Sequence, residues 1–164
     1  MPDVTVRKAT PNDAQTILDF IIGLAEFENE PRSIVEATVE SIRRDGFGED
    51  RLFETLIAER EGEPLGMALF FAHYSTWTGT PVLYLEDLFV KEDARGTGAG
   101  FALMQALAEI ADQRGWKRLD LSVLDWNPAR RFYHQLGMEH ESEWLLYRLD
   151  GDGISKLARA TRNG

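Results

Sequence analysis

The chain has no cysteine. That excludes disulfides, thiolate metal ligands and a cysteine nucleophile. Histidine is nearly as scarce. His73, His134 and His140 are the only three, and neither with each other nor with the acids do they show metal-like spacing, so no metal is expected. No apolar run approaches the roughly 20 residues of a membrane span. The opening "MPDVTVRKAT" has no hydrophobic signal core, so the expected location is the cytoplasm, with no membrane partner. Positive charge is also short: 18 Lys and Arg face 28 Asp and Glu, a net charge of −10. Such a surface repels phosphate backbones, which argues against nucleic acid, and it favours cationic substrates. The same acids could equally serve solubility alone.

What is present suits one soluble α/β domain over residues 1–164, because 164 residues can bury a sizeable core. No repeat, low-complexity segment or dividing linker interrupts it. "VTVRKA" alternates like a strand. "TPNDAQTILDFIIGLAEFE" reads as a helix capped by Thr10, with Pro11 at its first position and Ile17, Phe20, Ile21, Leu24 and Phe27 as its apolar stripe. A second helix is expected over Val35–Arg44, then strands over Phe53–Arg60 and Leu65–Tyr74, and a fourth strand at "VLYLEDLFV". "FALMQALAEIADQRG" is a strongly amphipathic helix ending at Gly115, and "KRLDLSVLD" a fifth strand. "NPARRFYHQLG" reads as a short helix between Asn127 and Gly137, followed by a strand at "SEWLLYRL" and a C-terminal helix at "ISKLARATR".

The stretch "YLEDLFVKEDARGTGAG" carries the chemistry. Two adjacent acids, Glu86 and Asp87, sit on a strand, and "RGTGAG" follows where that strand hands over to a helix. A helix start offers unpaired N–H groups and positive partial charge, which suits a phosphate. Glycines let the backbone approach oxygen atoms, and Arg95 can add a charged contact. A P-loop is excluded because Phe101 and Ala102, not Lys and Ser/Thr, follow Gly100. A dinucleotide fingerprint is excluded because its third glycine position falls on Phe101 or Leu103. An ordinary strand-to-helix turn would need only one or two glycines.

The Arg-x-x-Gly-x-Gly pattern resembles the pyrophosphate signature of the GNAT acetyltransferases. Together with "DGFGE", "YLEDLFV", "DWN", "FYHQLG" and Trp77, the chain resembles the spermidine/spermine (diamine) N-acetyltransferases over nearly its whole length. The resemblance implies a GNAT fold: a mixed, mostly antiparallel central sheet of about 6–7 strands flanked by helices, with splayed strands 4 and 5. It implies acetyl-CoA as cosubstrate, a primary amine as acceptor, direct attack in a ternary complex, and a homodimer. Leu88, Phe89 and Val90 would pair with the pantetheine arm, and Arg95, Gly96, Thr97, Gly98, Ala99, Gly100 and Phe101 would hold the pyrophosphate.

The amine must lose a proton before it attacks, so a carboxylate should stand near it. Glu86 is the first choice, acting through water, and Tyr133 is the matching acid for the departing thiolate. Tyr133 also fits a core position, since Ala129, Phe132, Tyr133 and Leu136 share a helix face. Strict alternation puts Glu86 and Asp87 on opposite sheet faces, and only a β-bulge would bring them together; the resemblance implies one in this strand. Glu28, Trp77, Glu86, Asp87 and Trp144 match acceptor-binding positions of the relatives. Either tryptophan could instead be plain packing. Asn127 precedes Tyr133 by six residues where the relatives have seven, so it either contacts the CoA arm or only caps its helix. Two acids of the relatives are replaced here, by Ser75 and Ser142. The leading expectation is acetyl transfer to a small polyamine or diamine-like amine, and with fewer acids the pocket would suit a shorter diamine, a lysine-like amine or another amine. A different amine acceptor, such as a protein lysine, a protein N-terminus or an aminated drug, remains open. So does a non-catalytic acyl-CoA sensor.

Overall fold

The computed structural model describes residues 3–162 and divides into two compact units, residues 1–122 and 123–164. The first unit holds a five-stranded sheet in the order β1-β2-β3-β4-β5. These strands are β1 (Thr5–Lys8), β2 (Glu54–Arg60), β3 (Glu63–Ser75), β4 (Thr80–Val90) and β5 (Leu119–Leu121). All neighbours are antiparallel except β4 and β5, which run parallel. The sheet is therefore mixed as expected, but smaller than six or seven strands.

The first helix starts as a 3-10 turn at Pro11–Asp13 and continues as α1 (Ala14–Phe27). The Thr10 N–H donates to the Asp13 carboxylate at 2.7 Å, and Arg7 grips the same carboxylate with two bonds of 2.8 and 2.9 Å. Those contacts hold the Asp13 carboxyl below its ordinary range. The second helix, α2, spans Val39–Phe47, later than the expected Val35–Arg44, because Thr38 caps it by accepting from the Ser41 N–H at 3.1 Å. The stretch before it instead forms a 3-10 turn at Arg32–Ile34.

Ile17, Phe20 and Ile42 from the two helices bury one sheet face with Ile57, Met67, Leu69 and Phe89. The long helix α3 (Ala99–Gln113) packs on strands β1 to β4, with Leu103 and Leu107 fully buried. Ala58, Ala68, Phe70, Leu83 and Leu85, also fully buried, belong to the opposite side of the sheet.

The second unit holds α4 (Ala129–Gln135) and α5 (Gly151–Ala158). The expected strand at "SEWLLYRL" does not form. Trp144, Leu145, Leu146 and Tyr147 are all exposed there, and no sheet neighbour pairs with them among the described residues. Strand propensity is largely a fit to neighbouring strands, so apolar and aromatic residues without a partner edge do not make one. For the same reason β5 is only three residues long, where "KRLDLSVLD" suggested nine.

Candidate active site

The register between β3 and β4 places the two acids. Leu69 lies opposite Asp87 and Phe70 opposite Leu85, so one step on β3 matches two on β4 and Glu86 is the extra residue of a bulge. Counting from the N-terminal side, Val82, Tyr84 and Glu86 share a face. Counting from the other side, Asp87 shares the face of Leu69 and Phe71, and Phe71 pairs with Tyr84. The bulge therefore puts Glu86 and Asp87 on one face, the face that α1 covers further along the strand. Leu88 turns to the other face with Ala68 and Phe70.

Glu28 is the third acid. It caps the C-terminal end of α1, where the helix leaves the same sheet face. Asp87 feels the other two. Burial pushes the Asp87 carboxyl up to about 7, and the charges of Glu86 and Glu28 add to that push. Burial and the nearby Glu30 raise Glu28 as well. Asp87 has no ion pair or hydrogen bond from any cation among the described residues. A largely desolvated carboxylate without a cation is costly to ionise unless something positive joins it.

The β4 strand is open on its other side just beyond the acids. Pairing with β5 stops at Leu85–Leu121, while β4 continues to Val90. Strands 4 and 5 thus part, and the backbone edge of Leu88, Phe89 and Val90 faces no protein strand there among the described residues. The Phe89 side chain belongs to the core, 5.5 Å from the Phe20 ring, so only its backbone can serve a ligand.

The glycine turn follows. Gly96 and Gly98 have φ of +78° and +89°, the left-handed region that glycine tolerates. A Cβ added at either would meet no atom within 4 Å, so the space beside both is open. No side chain caps α3 at Gly98, and the first-turn amides of Ala99, Gly100 and Phe101 have no intrahelical acceptor. The Thr97 hydroxyl is committed to the Ala94 carbonyl at 2.6 Å. Arg95 stacks its guanidinium over the Phe27 ring at 4.9 Å, tying the turn to the residue beside Glu28. Phe27 had read as an apolar-stripe residue only; nothing in the helical pattern separates a core phenylalanine from one that seats an arginine.

A sequence model of the acetyltransferase (GNAT) family matches residues 21–138, from within α1 to just past α4. The chain belongs to that family. It is an N-acetyltransferase, as the names of its relatives agree. A pig protein named thialysine N-epsilon-acetyltransferase is 38% identical over 96% of this chain and 99% of its own length. A human protein named spermidine/spermine N(1)-acetyltransferase-like protein 1 is 32% identical over 93% of this chain and 23% of its own. The solved structure of an integron cassette protein from the mobile metagenome of V. cholerae superposes with a TM-score of 0.79 and 26% identity, over 96% of this chain and 99% of that one. GNAT enzymes use acetyl-CoA, and the residues here fit it: open left-handed glycines and bare helix amides suit its diphosphate, and a free strand edge suits an extended amide-bearing arm.

The other expected site residues belong to the β3–β4 turn and to the second unit. Trp77 is on the turn joining β3 to β4 and is 84% exposed. The strand from Thr80 to Asp87 spans roughly 20 Å, so the acid group and Trp77 are well separated along β4. Ser75 is buried and accepts a hydrogen bond from the Thr78 N–H at 3.2 Å, shaping that turn. Tyr133, Asn127 and Trp144 belong to the second unit. Tyr133 packs beside Phe132, and burial pushes its phenol up to about 12. Asn127 is buried and its Oδ1 accepts from the Ala129 N–H at 2.9 Å, a helix-start contact.

Proposed function

We propose that this GNAT enzyme transfers an acetyl group from acetyl-CoA to a primary amine of a small diamine or diamine-like molecule, by direct attack in a ternary complex. The observation that carries the reading is the group of Glu28, Glu86 and Asp87 on one face, beside the free edge of β4. An ammonium is the natural partner of such a group. Glu86 is exposed at the bulge, where water can reach it. It takes the ammonium proton through that water, while Asp87 and Glu28 hold the acceptor. Asp87, poised near neutrality, adds negative charge as it ionises. Tyr133, protonated throughout the neutral range, gives its proton to the departing thiolate. Leu88 to Val90 pair with the pantetheine arm, and Arg95 to Phe101 hold the diphosphate.

The family match runs across both units, which supports reading 1–164 as one acetyltransferase domain. The exposed apolar run of Trp144, Leu145, Leu146 and Tyr147 supports a homodimer, because contiguous apolar surface of this kind marks an interface. Light scattering tests it; a strictly monomeric species at micromolar concentration overturns it. A thiol-release assay with acetyl-CoA and a panel of diamines, lysine analogues, peptides and aminoglycosides tests the activity. Turnover on small diamines or lysine analogues supports the reading, and turnover confined to peptides or aminoglycosides sinks it.

A further inference from the structure

The glycine turn has a second side. On the β3 side of β4, opposite its free edge, the β2–β3 hairpin and the residues after β4 enclose a cavity of about 260 Å³. Arg60 ends β2 and pairs with Glu63 across the hairpin. Lys91 follows β4, and its N–H donates to the Leu65 carbonyl at 2.9 Å, which fixes its backbone beside the hairpin. Ala94 and Thr97 complete the wall. They are joined by the hydroxyl-to-carbonyl bond of 2.6 Å, so the turn that offers the diphosphate cradle on one side closes this cavity on the other.

The charges around the cavity are sorted by depth. Arg60 and Lys91 are half-buried, whereas the two acids that also line it, Glu63 and Asp93, are exposed. The Arg60 Nε–H is buried and meets no acceptor. Neither cation joins an ion pair among the described residues. A buried donor on a charged group is costly to leave unmet. An oxyanion between the two cations meets it and takes charge-assisted bonds from both. The acids stand in water, which screens them from that oxyanion.

The volume lies below the roughly 300–1,000 Å³ of pockets that enclose drug-sized ligands, so the cavity suits a phosphate group rather than a whole cofactor. Two sources can supply one. Acetyl-CoA carries a ribose 3′-phosphate six bonds from its diphosphate, a reach of roughly 7 Å. Thr97 and the Ala99 amide are two residues apart, a span of up to roughly 7 Å. A free phosphate is the other source.

We propose that Arg60 and Lys91 form a second phosphate-binding site on the back of the glycine turn, separate from the diphosphate cradle. The part of its test that uses CoA rests on the cofactor reading above; the part that uses inorganic phosphate does not.

Calorimetry compares CoA with 3′-dephospho-CoA on the full chain at low ionic strength, where charged contacts are least screened. Wild type should bind CoA about tenfold more tightly. Arg60→Gln and Lys91→Gln should each flatten that preference while leaving 3′-dephospho-CoA affinity unchanged, and Arg60→Lys should keep part of it. Lys91→Gln carries the test if Arg60→Gln does not fold. Arg51→Gln removes an exposed cation outside the cavity and should change nothing. Melting in inorganic phosphate against chloride of equal ionic strength, with saturating 3′-dephospho-CoA filling the cradle, reads the site without the 3′-phosphate. Phosphate should raise Tm in wild type and not in the two Gln variants. With CoA in place of 3′-dephospho-CoA, that rise vanishes if the 3′-phosphate fills the site and persists if a free phosphate does. No preference for CoA together with no phosphate-dependent rise overturns the site. So does a preference or rise that the Gln variants keep, or that Arg51→Gln also lowers. Failure of wild type to bind either nucleotide overturns the cofactor reading, and the phosphate melt without nucleotide, wild type against the Gln variants, still decides the site.

Discussion

The glycine turn and two of the three acids lie within one stretch, Glu86 to Gly100, yet they are built on different principles. The turn works with backbone: two left-handed glycines, bare amides and open space, with side chains turned to other tasks. Thr97 bonds the preceding carbonyl and Arg95 stacks on Phe27. The acid group works with side chains whose placement depends on a register set against β3. A backbone site is written in residue types, because only glycine adopts its angles without strain. A side-chain site is written in which face each residue meets, and one extra residue changes that.

That contrast can be broken by substitution, starting from the largest effect. Gly98→Val puts a β-branched side chain at φ +89° and into the open space beside the turn. Acetyl-CoA affinity by calorimetry should fall by about 10³ or to nothing, while the fold persists because the added atoms meet no protein. Normal affinity would mean that the turn holds no phosphate. Tyr133→Phe should lower kcat by about 10²–10⁴ with acetyl-CoA affinity almost unchanged. Unaltered turnover would return Tyr133 to a packing role. Glu86→Gln should cost about 10²-fold in kcat, with the same intact cofactor affinity. If the loss falls instead on acetyl-CoA binding, the two sites are not separable as described.

The smallest effect concerns Asp87 and pH. Its folded-state pKa is raised, so between about pH 4 and 7 the folded protein holds a proton that the unfolded chain has released. Stability from this group is therefore lost as pH rises through that window. Asp87→Asn removes the loss, and its Tm at pH 8 should exceed that of wild type by roughly 2–4 °C. Wild type should show a rise in kcat/KM near pH 7 as Asp87 ionises, and the same variant should lack it. A profile that keeps this limb would assign it to another group.

The two principles also explain what could be read from the chain. The glycine turn, the helix behind it and the strand before it were legible, because glycine, amphipathic spacing and alternation are local signals. The family resemblance rested on the strand and the turn together with "DGFGE", "DWN", "FYHQLG" and Trp77. The shared face of Glu86 and Asp87 was not fixed by alternation, which separates them; only the pairing of Leu69 and Phe70 across β3 decides it. The "SEWLLYRL" segment shows the converse. Its composition is that of a strand, but composition cannot supply the edge that a strand needs. The start of α2 moved for a smaller reason, since Thr38 outcompeted the apolar pattern that pointed to Val35.

The bulge has one more consequence. Because Glu86 is the unmatched residue, deleting it would leave Leu85 opposite Phe70 and Asp87 opposite Leu69, with every later pairing of β4 unchanged. An ordinary one-residue deletion in a half-buried strand inverts everything downstream. Here the reading frame of the sheet survives the loss. The acid is thus a detachable insertion: a single codon gained or lost would convert a one-carboxylate strand into a two-carboxylate one without moving Phe89 from the core or the glycines from their turn.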